Sequence, residues 1–276
     1  MKFEKFVHPL GSLKMLAMPI QKHTFAAQTN SRIVSFMLNL KFIFRAYRYR
    51  FHIDPPEIRY ILKNLKKGDT AVDIGCHKGG YLYWLQSGVG NRGKVFAFEP
   101  QPKLFRYLRE TIGSSQTVVL ENKGLSSTPG IIDFHIPITK SGSSPGARIG
   151  SFSGDEQFNT IQIDVVTLDD YFLKKNIAPS LLKIDVEGHE KAVLEGGLEL
   201  LKKHHPKILM ECEARHLNGA TVFEVFQGLL DIGYQGYFFE NGSLQPLSTF
   251  NPEIHQKASE GRFWEAKGYV NNFVFE

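Results

Sequence analysis

The sequence is poor in cysteine, has no long apolar run and has almost no acid in its first fifty residues. Its two cysteines, Cys76 and Cys212, are too few for a disulfide framework. No N-terminal stretch combines an apolar core with a small-residue cleavage site, so we expect a reducing, cytoplasmic setting. The longest early apolar run, residues 33–44, contains Lys41 and is well short of the roughly twenty residues that span a membrane. No transmembrane helix is predicted.

Charge is distributed unevenly along the chain. Residues 1–53 contain nine lysines and arginines against one glutamate, so the remainder carries 24 cations against 27 acids and is slightly acidic. This distribution argues against nucleic-acid binding over the whole surface and directs any anionic partner to the N-terminal segment. Within that segment, KFIFRAYRYRF (Lys41 to Phe51) interleaves four cations with five aromatic residues. It is interpreted as a helix packed on the protein body or, alternatively, as a peripheral contact with the inner face of a membrane.

The rest of the chain alternates short apolar strands with amphipathic helices. This βαβαβ pattern predicts an α/β fold, a doubly wound and mostly parallel Rossmann-like sheet whose ligands bind outside the carboxyl ends of the strands. We therefore divide the chain into a basic helical extension, residues 1–65, and a cofactor-binding domain, residues 66–276. The Ser/Gly-rich stretch at 138–159 interrupts the alternation and is interpreted as a functional lid or as disorder. The strands predicted for the sheet are TAVDIG, KVFAFE, TVVLEN, LLKIDV, PKILMECE, YQGYFFE and the terminal YVNNFVFE.

The first strand leads into a glycine-rich loop, VDIGCHKGG, which lacks the G-x-G-x-x-G pattern of dinucleotide sites. Glu99 ends the second strand, where a carboxylate can accept hydrogen bonds from both ribose hydroxyls of an adenosine. Asp73 would repel the pyrophosphate of a dinucleotide but would favour the ammonium and sulfonium groups of S-adenosylmethionine. The residues therefore predict S-adenosylmethionine as the cofactor.

Six segments together resemble the FkbM family of S-adenosylmethionine-dependent methyltransferases. The resemblance covers roughly residues 68–276, and its most specific part is KIDVEG followed by E-x-x-VL-x-G. It implies a class I methyltransferase sheet of seven strands with the last antiparallel. It also implies methyl transfer to the oxygen of a hydroxyl on a small metabolite, a sugar or a lipid-linked substrate. The six segments are VDIGCHKGG, FEP, ENKGLS, VTLDDY, KIDVEGHEKAVLEGG and PKILMECE.

The resemblance also implies which residues bind the cofactor. The glycine-rich loop would face the methionine part, Glu99 would bind the ribose, and Asn122 or its neighbours would lie near the adenine. The chain departs from the family at His77, where asparagine is common, and at Leu82, where a hydroxyl residue is common. His77 could keep a hydrogen bond of the loop through either ring nitrogen. The predicted cofactor-binding residues are Asp73, Gly75, His77, Gly79, Glu99 and Asn122.

The segment KIDVEGHE places charge at the carboxyl end of a central strand, where the reacting centre of such a sheet lies. A buried strand-end carboxylate is costly without a ligand or partner, so Asp185 is predicted to be catalytic, with Glu187. These acids would bind the acceptor or remove its proton, which typically adds about 10² to 10⁴ in rate. Lys183 is predicted either to assist them or simply to pair with Asp185. His189 and Glu190 are interpreted as helix-start residues.

The sequence leaves three alternatives to a metal-free methyltransferase. Asp185 with Glu211 and Glu213 could bind a divalent cation through oxygen, but no Asp-Asn pair follows the fifth strand, and we predict no metal site. A nicotinamide-dependent oxidoreductase fits the fold, although the loop pattern and Asp73 count against it. A non-catalytic cofactor-binding or membrane-recruited adaptor is left open by the two departures from the family, His77 and Leu82.

Overall fold

A computed structural model describes residues 37–113, 115–138, 146–150, 157–259, 261, 262, 266 and 268–276. Most of the basic N-terminal segment and most of the Ser/Gly-rich stretch therefore lie outside the described residues. The molecule has the predicted α/β architecture, with a large central sheet and a small second sheet. No described helix is long and apolar enough to cross a membrane.

The central sheet has eight described strands. Five adjacent strands of this sheet are parallel to one another. The bounds of the eight strands are β1 Thr70–Ile74, β2 Lys94–Phe98, β3 Val118–Glu121, β7 Leu181–Ile184, β8 Lys207–Glu211, β9 Gly236–Glu240, β10 Ser243–Pro246 and β11 Asn272–Phe275. They are ordered β10-β9-β11-β8-β7-β1-β2-β3. The chain-terminal strand β11 is antiparallel to both β8 and β9, as predicted. The carboxyl ends of β1, β2, β7 and β8 therefore meet at one edge.

The prediction of seven strands was wrong by one, because β10 adds a hairpin to the edge strand β9. The turn between them is Asn241 and Gly242, both with positive φ (49° and 79°). An Asn-Gly pair in this conformation closes a two-residue hairpin whose twist matches that of the strands. The dipeptide was the sequence signal for the extra strand.

Helices cover both faces of the sheet. Residues 37–48 form α1, which runs into a π-helical turn, Tyr49–Ile53. The other helices are α2 Pro55–Asn64, α3 Leu82–Val89, α4 Pro102–Ile112, α5 Glu190–Glu195, α6 Leu198–His204, α7 Val222–Asp231 and α8 Pro252–His255. Pro102 occupies the first turn of α4, where its missing N–H is not needed.

From the sequence we expect a single helix after β7, running to about Lys203, but the structure has two helices there, α5 and α6. Gly196 lies against another part of the chain so closely that a Cβ there would come within 2.1 Å of the Ser126 carbonyl oxygen. Asp169 then caps α6, accepting hydrogen bonds from the amides of Glu199 and Leu200 at 3.2 and 2.8 Å. The break coincides with the Gly196-Gly197 pair, a dipeptide that marks turns, and the close approach of Ser126 leaves no room for a side chain at its first position.

The N-terminal helices contribute to one of the two main hydrophobic clusters. Phe42 and Ala46 of α1 and Ile58 and Ile61 of α2 are buried there with side chains from β1 and α3. The indole N–H of Trp84 donates a hydrogen bond to the Ala46 carbonyl at 2.7 Å. One face of the helix formed by KFIFRAYRYRF is therefore packed on the protein body, as one of the two interpretations proposed. The domain division at residue 65 stays a prediction.

A small second sheet stands beside the central one. It contains β4 Gly124–Leu125, β5 Gly130–Pro137 and β6 Phe158–Val166, in the order β4-β6-β5. Residues 146–150 of the Ser/Gly-rich stretch lie against this sheet. The amide of His135 donates a hydrogen bond to the Arg148 carbonyl at 2.9 Å, and the Arg148 amide donates one to the His135 carbonyl at 3.0 Å. The described part of this stretch is thus held against β5.

Candidate active site

A cavity of about 310 Å³ opens at the carboxyl edge of the central sheet. Its walls come from the ends of β1, β2, β7 and β8, from the π-helical turn, and from residues 123–125 and 146–149. The predicted site residues that line it are Asp73, Gly75, His77, Glu99, Lys183, Asp185 and Glu187. Two predicted residues, Gly79 and Asn122, are not part of the lining.

The loop after β1 is fixed by close backbone approaches. The amides of Gly75 and Cys76 both donate to the Phe98 carbonyl at 3.0 Å. A Cβ at Gly75 would lie 1.9 Å from the Asp185 carbonyl oxygen, and this residue has φ of 78°. His77 is also left-handed, with φ of 48°, a conformation that Asn and His tolerate better than most residues. This backbone requirement gives a physical reason for asparagine or histidine at this position.

His77 presents a neutral ring to the cavity. Burial, together with the nearby Lys78 and Arg45, lowers its pKa to about 4. Its Nε2 atom is buried and has no hydrogen-bond partner among the described residues. A buried polar atom of this kind is costly unless a ligand or water satisfies it.

Glu99 and Asp73 are each 2% exposed and hold buried carboxyl groups at the cavity wall. Glu99 accepts a hydrogen bond from the Gln101 amide at 2.9 Å, and burial raises its pKa to about 8. Burial also raises the pKa of Asp73 to about 7, although Lys183 opposes the shift. One carboxylate oxygen of Asp73 has no hydrogen-bond partner within the described part of the chain. A cationic ligand group would relieve that cost.

Gly79 and Asn122 shape the loops from behind rather than from the cavity. A Cβ at Gly79 would come within 2.5 Å of the Phe42 ring, so this glycine makes room for α1. The Asn122 side-chain amide donates to the Glu99 and Pro100 carbonyls at 2.9 and 3.0 Å, which fixes the chain after β2. Its neighbours at 123–125 do line the cavity.

Lys183 and Asp185 form the ion pair that the sequence had left open, with 3.6 Å between the ammonium nitrogen and a carboxylate oxygen. Lys183 is 1% exposed, lies opposite Asp73 in the pairing of β1 with β7, and places its ammonium 4.7 Å from the centre of the Tyr81 ring. Burial opposes its charged form, but Asp185, Glu211 and Asp73 together raise its pKa. The lysine therefore stays charged and balances the surrounding acids.

Asp185 follows the last residue of β7 and is the more accessible member of the pair, with its side chain 33% exposed. Its amide donates to the Ile74 carbonyl at 3.0 Å, which anchors it beside the loop after β1. Burial in the cleft raises its pKa, with Lys183 acting in the opposite direction. A carboxylate with a raised pKa at this position can take up a proton.

Glu187 connects the strand end to the Ser/Gly-rich stretch. It adopts a left-handed backbone, with φ of 54°. One carboxylate oxygen lies 2.9 Å from the Nδ1 atom of His216, and the other accepts a hydrogen bond from the Gly146 amide at 3.2 Å. Burial alone would raise the pKa of Glu187, but the contact with His216 lowers it. Both carboxylate oxygens of Glu187 therefore contact other segments of the chain, one at His216 and the other at Gly146.

His189 and Glu190 occupy the start of α5, as interpreted. The Nε2 atom of His189 is 3.0 Å from the Ser126 hydroxyl oxygen, and burial lowers the pKa of its ring. Glu190 is the first residue of the helix and accepts a hydrogen bond from the Gly188 amide at 3.0 Å. Both side chains have structural partners, although His189 also borders the cavity.

Sequence reasoning missed the wall that the π-helical turn supplies. Tyr49, Ile53 and Asp54 line the cavity, and the Asp54 carboxylate accepts a hydrogen bond from the Tyr81 hydroxyl at 2.8 Å. A Cβ at Gly80 would come within 2.7 Å of the Tyr49 ring. The family resemblance starts after this turn, so the second glycine of the Gly79-Gly80 pair was the one available signal of a close neighbour.

The acids considered as metal ligands have other partners. Glu213 accepts two hydrogen bonds from the Arg215 guanidinium, each 2.7 Å long, and a third from the Tyr269 hydroxyl at 2.8 Å. Glu211 accepts one from the Asn271 amide at 3.0 Å. In the part of the chain that the structure describes, no group of three His, Cys, Asp or Glu residues is arranged to hold a metal ion.

A mostly parallel sheet with an antiparallel final strand, and a cavity at its carboxyl edge with acids at the ends of β1 and β2, form the arrangement of the class I methyltransferase fold. The family model for the methyltransferase FkbM domain matches residues 73–238, and the chain belongs to this family. The resemblance drawn from the sequence is thereby confirmed.

Two characterised relatives match part of the chain. It is 32% identical over 146 residues to the hexuronic acid methyltransferase AglP of Haloferax volcanii, covering 50% of this chain and 54% of that protein. It is 28% identical over 159 residues to the 2-O-methyltransferase NoeI of Sinorhizobium fredii, covering 52% of this chain and 64% of that protein. The matches therefore span less than two thirds of either relative.

Among solved structures, a methyltransferase FkbM from Methylobacillus flagellatus KT aligns with a TM-score of 0.47 at 14% identity. The alignment covers 91% of this chain and 60% of that one.

Proposed function

We propose that this protein transfers a methyl group from S-adenosylmethionine to a hydroxyl oxygen of a sugar. The observation that carries the proposal is a buried carboxylate oxygen of Asp73 that has no hydrogen-bond partner among the described residues and lies beside Glu99. Both acids stand at the carboxyl edge of the sheet, where folds of this kind bind their ligands. Family membership supports the reaction. The relatives named for methylating a hexuronic acid and for 2-O-methylation support a sugar hydroxyl as the acceptor.

The donor half of the cavity has the chemistry that this cofactor requires. Asp73 would hold the ammonium group, because a cation offsets the cost of burying its carboxylate. Glu99 would accept hydrogen bonds from the ribose hydroxyls. The uncharged ring of His77 and residues 123–125 would complete the wall. When bound, S-adenosylmethionine supplies an electrophilic methyl group on a sulfonium.

Asp185 is the proposed general base. Its carboxylate would accept the proton of the acceptor hydroxyl as the oxygen becomes nucleophilic. A base is most effective when its pKa lies near the working pH, and burial shifts the pKa of Asp185 in that direction. Lys183, 3.6 Å away, limits the shift and keeps the carboxylate available. Glu187 would act mainly by fixing residues 146–150 beside the acceptor.

Calorimetry with S-adenosylmethionine, S-adenosylhomocysteine and NAD tests the cofactor. We expect both adenosyl compounds to bind and NAD not to bind. Binding of NAD together with failure of both adenosyl compounds would overturn the proposal in favour of an oxidoreductase.

Transfer of a labelled methyl group tests the reaction and its acceptor. The assay compares a uronic acid, a neutral hexose and an N-acetylhexosamine, each free and lipid-linked. We expect label on a hydroxyl oxygen of at least one sugar. Cofactor binding without label on any hydroxyl acceptor would instead favour the non-catalytic adaptor. Repeating the assay after exhaustive chelation tests the metal alternative, which a loss of activity restored by Mg²⁺ would support.

A further inference from the structure

We infer that the outward face of α1 is a docking surface for an anionic lipid membrane. This face, here called the outer stripe, presents large apolar side chains to solvent. Phe44 is 73% exposed and Phe51 is 59% exposed, although side chains of this kind are normally buried. Contiguous exposed apolar patches bordered by charge mark interaction sites. The outer stripe consists of Met37, Leu40, Ile43, Phe44 and Tyr47 of α1 together with Phe51 of the π-helical turn that continues it.

Contacts on the opposite side fix the rotation of α1. Phe42 is 7% exposed and Ala46 is fully buried. The Arg45 guanidinium donates hydrogen bonds to the Lys78 carbonyl and the Tyr107 hydroxyl, each 3.0 Å long. Residues spaced by three or four positions share one face of a helix. With Phe42, Arg45 and Ala46 held against the body, the outer stripe must point away from it.

The charges bordering the outer stripe indicate what covers it. Residues 37–53 contain four lysines and arginines and no acid. Lys41 and Arg48 are exposed beside the stripe, and the Arg50 guanidinium lies 4.5 Å from the Trp84 ring centre, at the end of the helix. An apolar helix face with cations at its border is the pattern of helices that lie in the interface of an anionic membrane.

A second copy of the chain is a poorer occupant. A two-fold symmetric contact would place the same patch of both copies together. The contact would then bring together two sets of border cations, Lys41 and Arg48 of each copy, with no acid in residues 37–53 to offset them. Anionic head groups satisfy the same cations while the acyl region accepts the apolar side chains. Charge complementarity therefore favours a lipid surface.

The outer stripe also lies next to the cavity along the chain. The helix continues directly into the π-helical turn, whose Tyr49 and Ile53 line the cavity wall. A membrane held against the stripe would thus be close to the site. This placement suits an acceptor sugar carried on a lipid, an extension that rests on the proposed function. Membrane binding itself does not depend on that function.

Vesicle flotation with the full chain tests the inference. Vesicles of phosphatidylcholine alone are compared with vesicles that also contain phosphatidylglycerol. We expect binding to the anionic vesicles, little binding to the zwitterionic ones, and a loss of at least tenfold in Phe44→Glu. The matched control is Ile254→Glu, because Ile254 on α8 is also highly exposed, at 68%, and should leave binding unchanged. The double variant Lys41→Gln with Arg48→Gln should weaken binding to anionic vesicles only.

Three results would overturn the inference. The first is no binding of the wild-type chain to anionic vesicles. The second is an equal loss in Phe44→Glu and Ile254→Glu. The third is a wild-type dimer, measured by light scattering without lipid, that Phe44→Glu converts to a monomer, which would make a second copy the occupant. Binding of S-adenosylmethionine to each variant by calorimetry shows that the domain is folded, and the vesicle result can be interpreted even if no methyl transfer occurs.

Discussion

The two halves of the cavity are built in different ways. The proposed donor half comes mainly from two strand ends and the loops that directly follow them, residues 73–77 and 98–101, and residues 123–125 complete its wall. The rest of the lining, which we propose receives the acceptor and call the acceptor half, is assembled from segments that are distant in sequence. They are residues 49–54, residues 146, 147 and 149, and residues 185–189. Local sequence determines the first half, whereas the second exists only once the N-terminal helices and the small sheet have packed. Of these segments only residues 49–54 lie outside the match to the family model, which covers residues 73–238.

Replacing Asp185 gives the sharpest separation of the two halves. We expect Asp185→Asn to lower kcat by about 10² to 10⁴, the range for loss of a positioned base, with the Kd for S-adenosylmethionine nearly unchanged. Steady-state kinetics and calorimetry on the same preparation measure both values. Unchanged turnover would remove Asp185 from the chemistry, and a large increase in donor Kd would place it in the donor half instead.

Replacing Glu99 should act on the donor half. We expect Glu99→Ala to weaken binding of S-adenosylmethionine at least tenfold, or about 1.4 kcal/mol, because both ribose hydroxyls lose their acceptor. Calorimetry measures the effect. Glu199→Ala is a matched control, since that carboxylate lies on the surface beside Lys202 and its loss should not change donor binding. Equal affinities for wild type and Glu99→Ala would contradict the assignment.

The pH dependence of donor binding should come from the buried acids. In the free protein the pKa of Asp73 is raised to about 7, and a bound ammonium favours the ionised carboxylate. Affinity should therefore rise several-fold from about pH 5.5 to about pH 7.5, with protons released on binding. Calorimetry in buffers of different ionisation enthalpy measures that release. Asp73→Asn should flatten the rise, leaving the part due to Glu99.

The same raised pKa has a consequence for stability. Between about pH 4, the ordinary value for aspartate, and about pH 7 the folded free protein binds more protons at Asp73 than the unfolded chain does. The contribution of this group to the free energy of unfolding should thus fall as pH rises through that window. Denaturant titrations at several pH values check the sign. A smaller fall in Asp73→Asn than in wild type is expected.

Gly80→Ala should perturb only the acceptor half, and by the smallest amount. The added methyl group would press on the Tyr49 ring at 2.7 Å and displace the wall that the π-helical turn supplies. We expect the KM for the acceptor to rise about threefold, a small loss in binding energy, with donor Kd unchanged. Gly228→Ala is the control, because a Cβ there meets nothing within 4 Å. An effect on donor binding alone would mean that Tyr49 belongs to the other half.

Much of the fold and of the donor half could be predicted from the sequence, because both depend on local patterns. Apolar strands ending in Asp73 and Glu99 placed those acids at one edge, and the structure has them lining one cavity. The Gly196-Gly197 pair was a signal for the break between α5 and α6, but the contact of Gly196 with the Ser126 carbonyl could not be predicted, since that carbonyl belongs to a distant segment. The same holds for Asp54, which reaches the cavity only because α1 and α2 pack on α3.

Gly75 touches the backbone of Asp185 so closely that a single methyl group between them would overlap the Asp185 carbonyl. The donor loop and the proposed base are therefore one mechanical unit, although 110 residues separate them in sequence. For protein engineering, this contact means that the two segments have to be replaced together. Grafting a donor loop from another methyltransferase requires its β7 end as well, because a loop lacking this glycine has no place to fit.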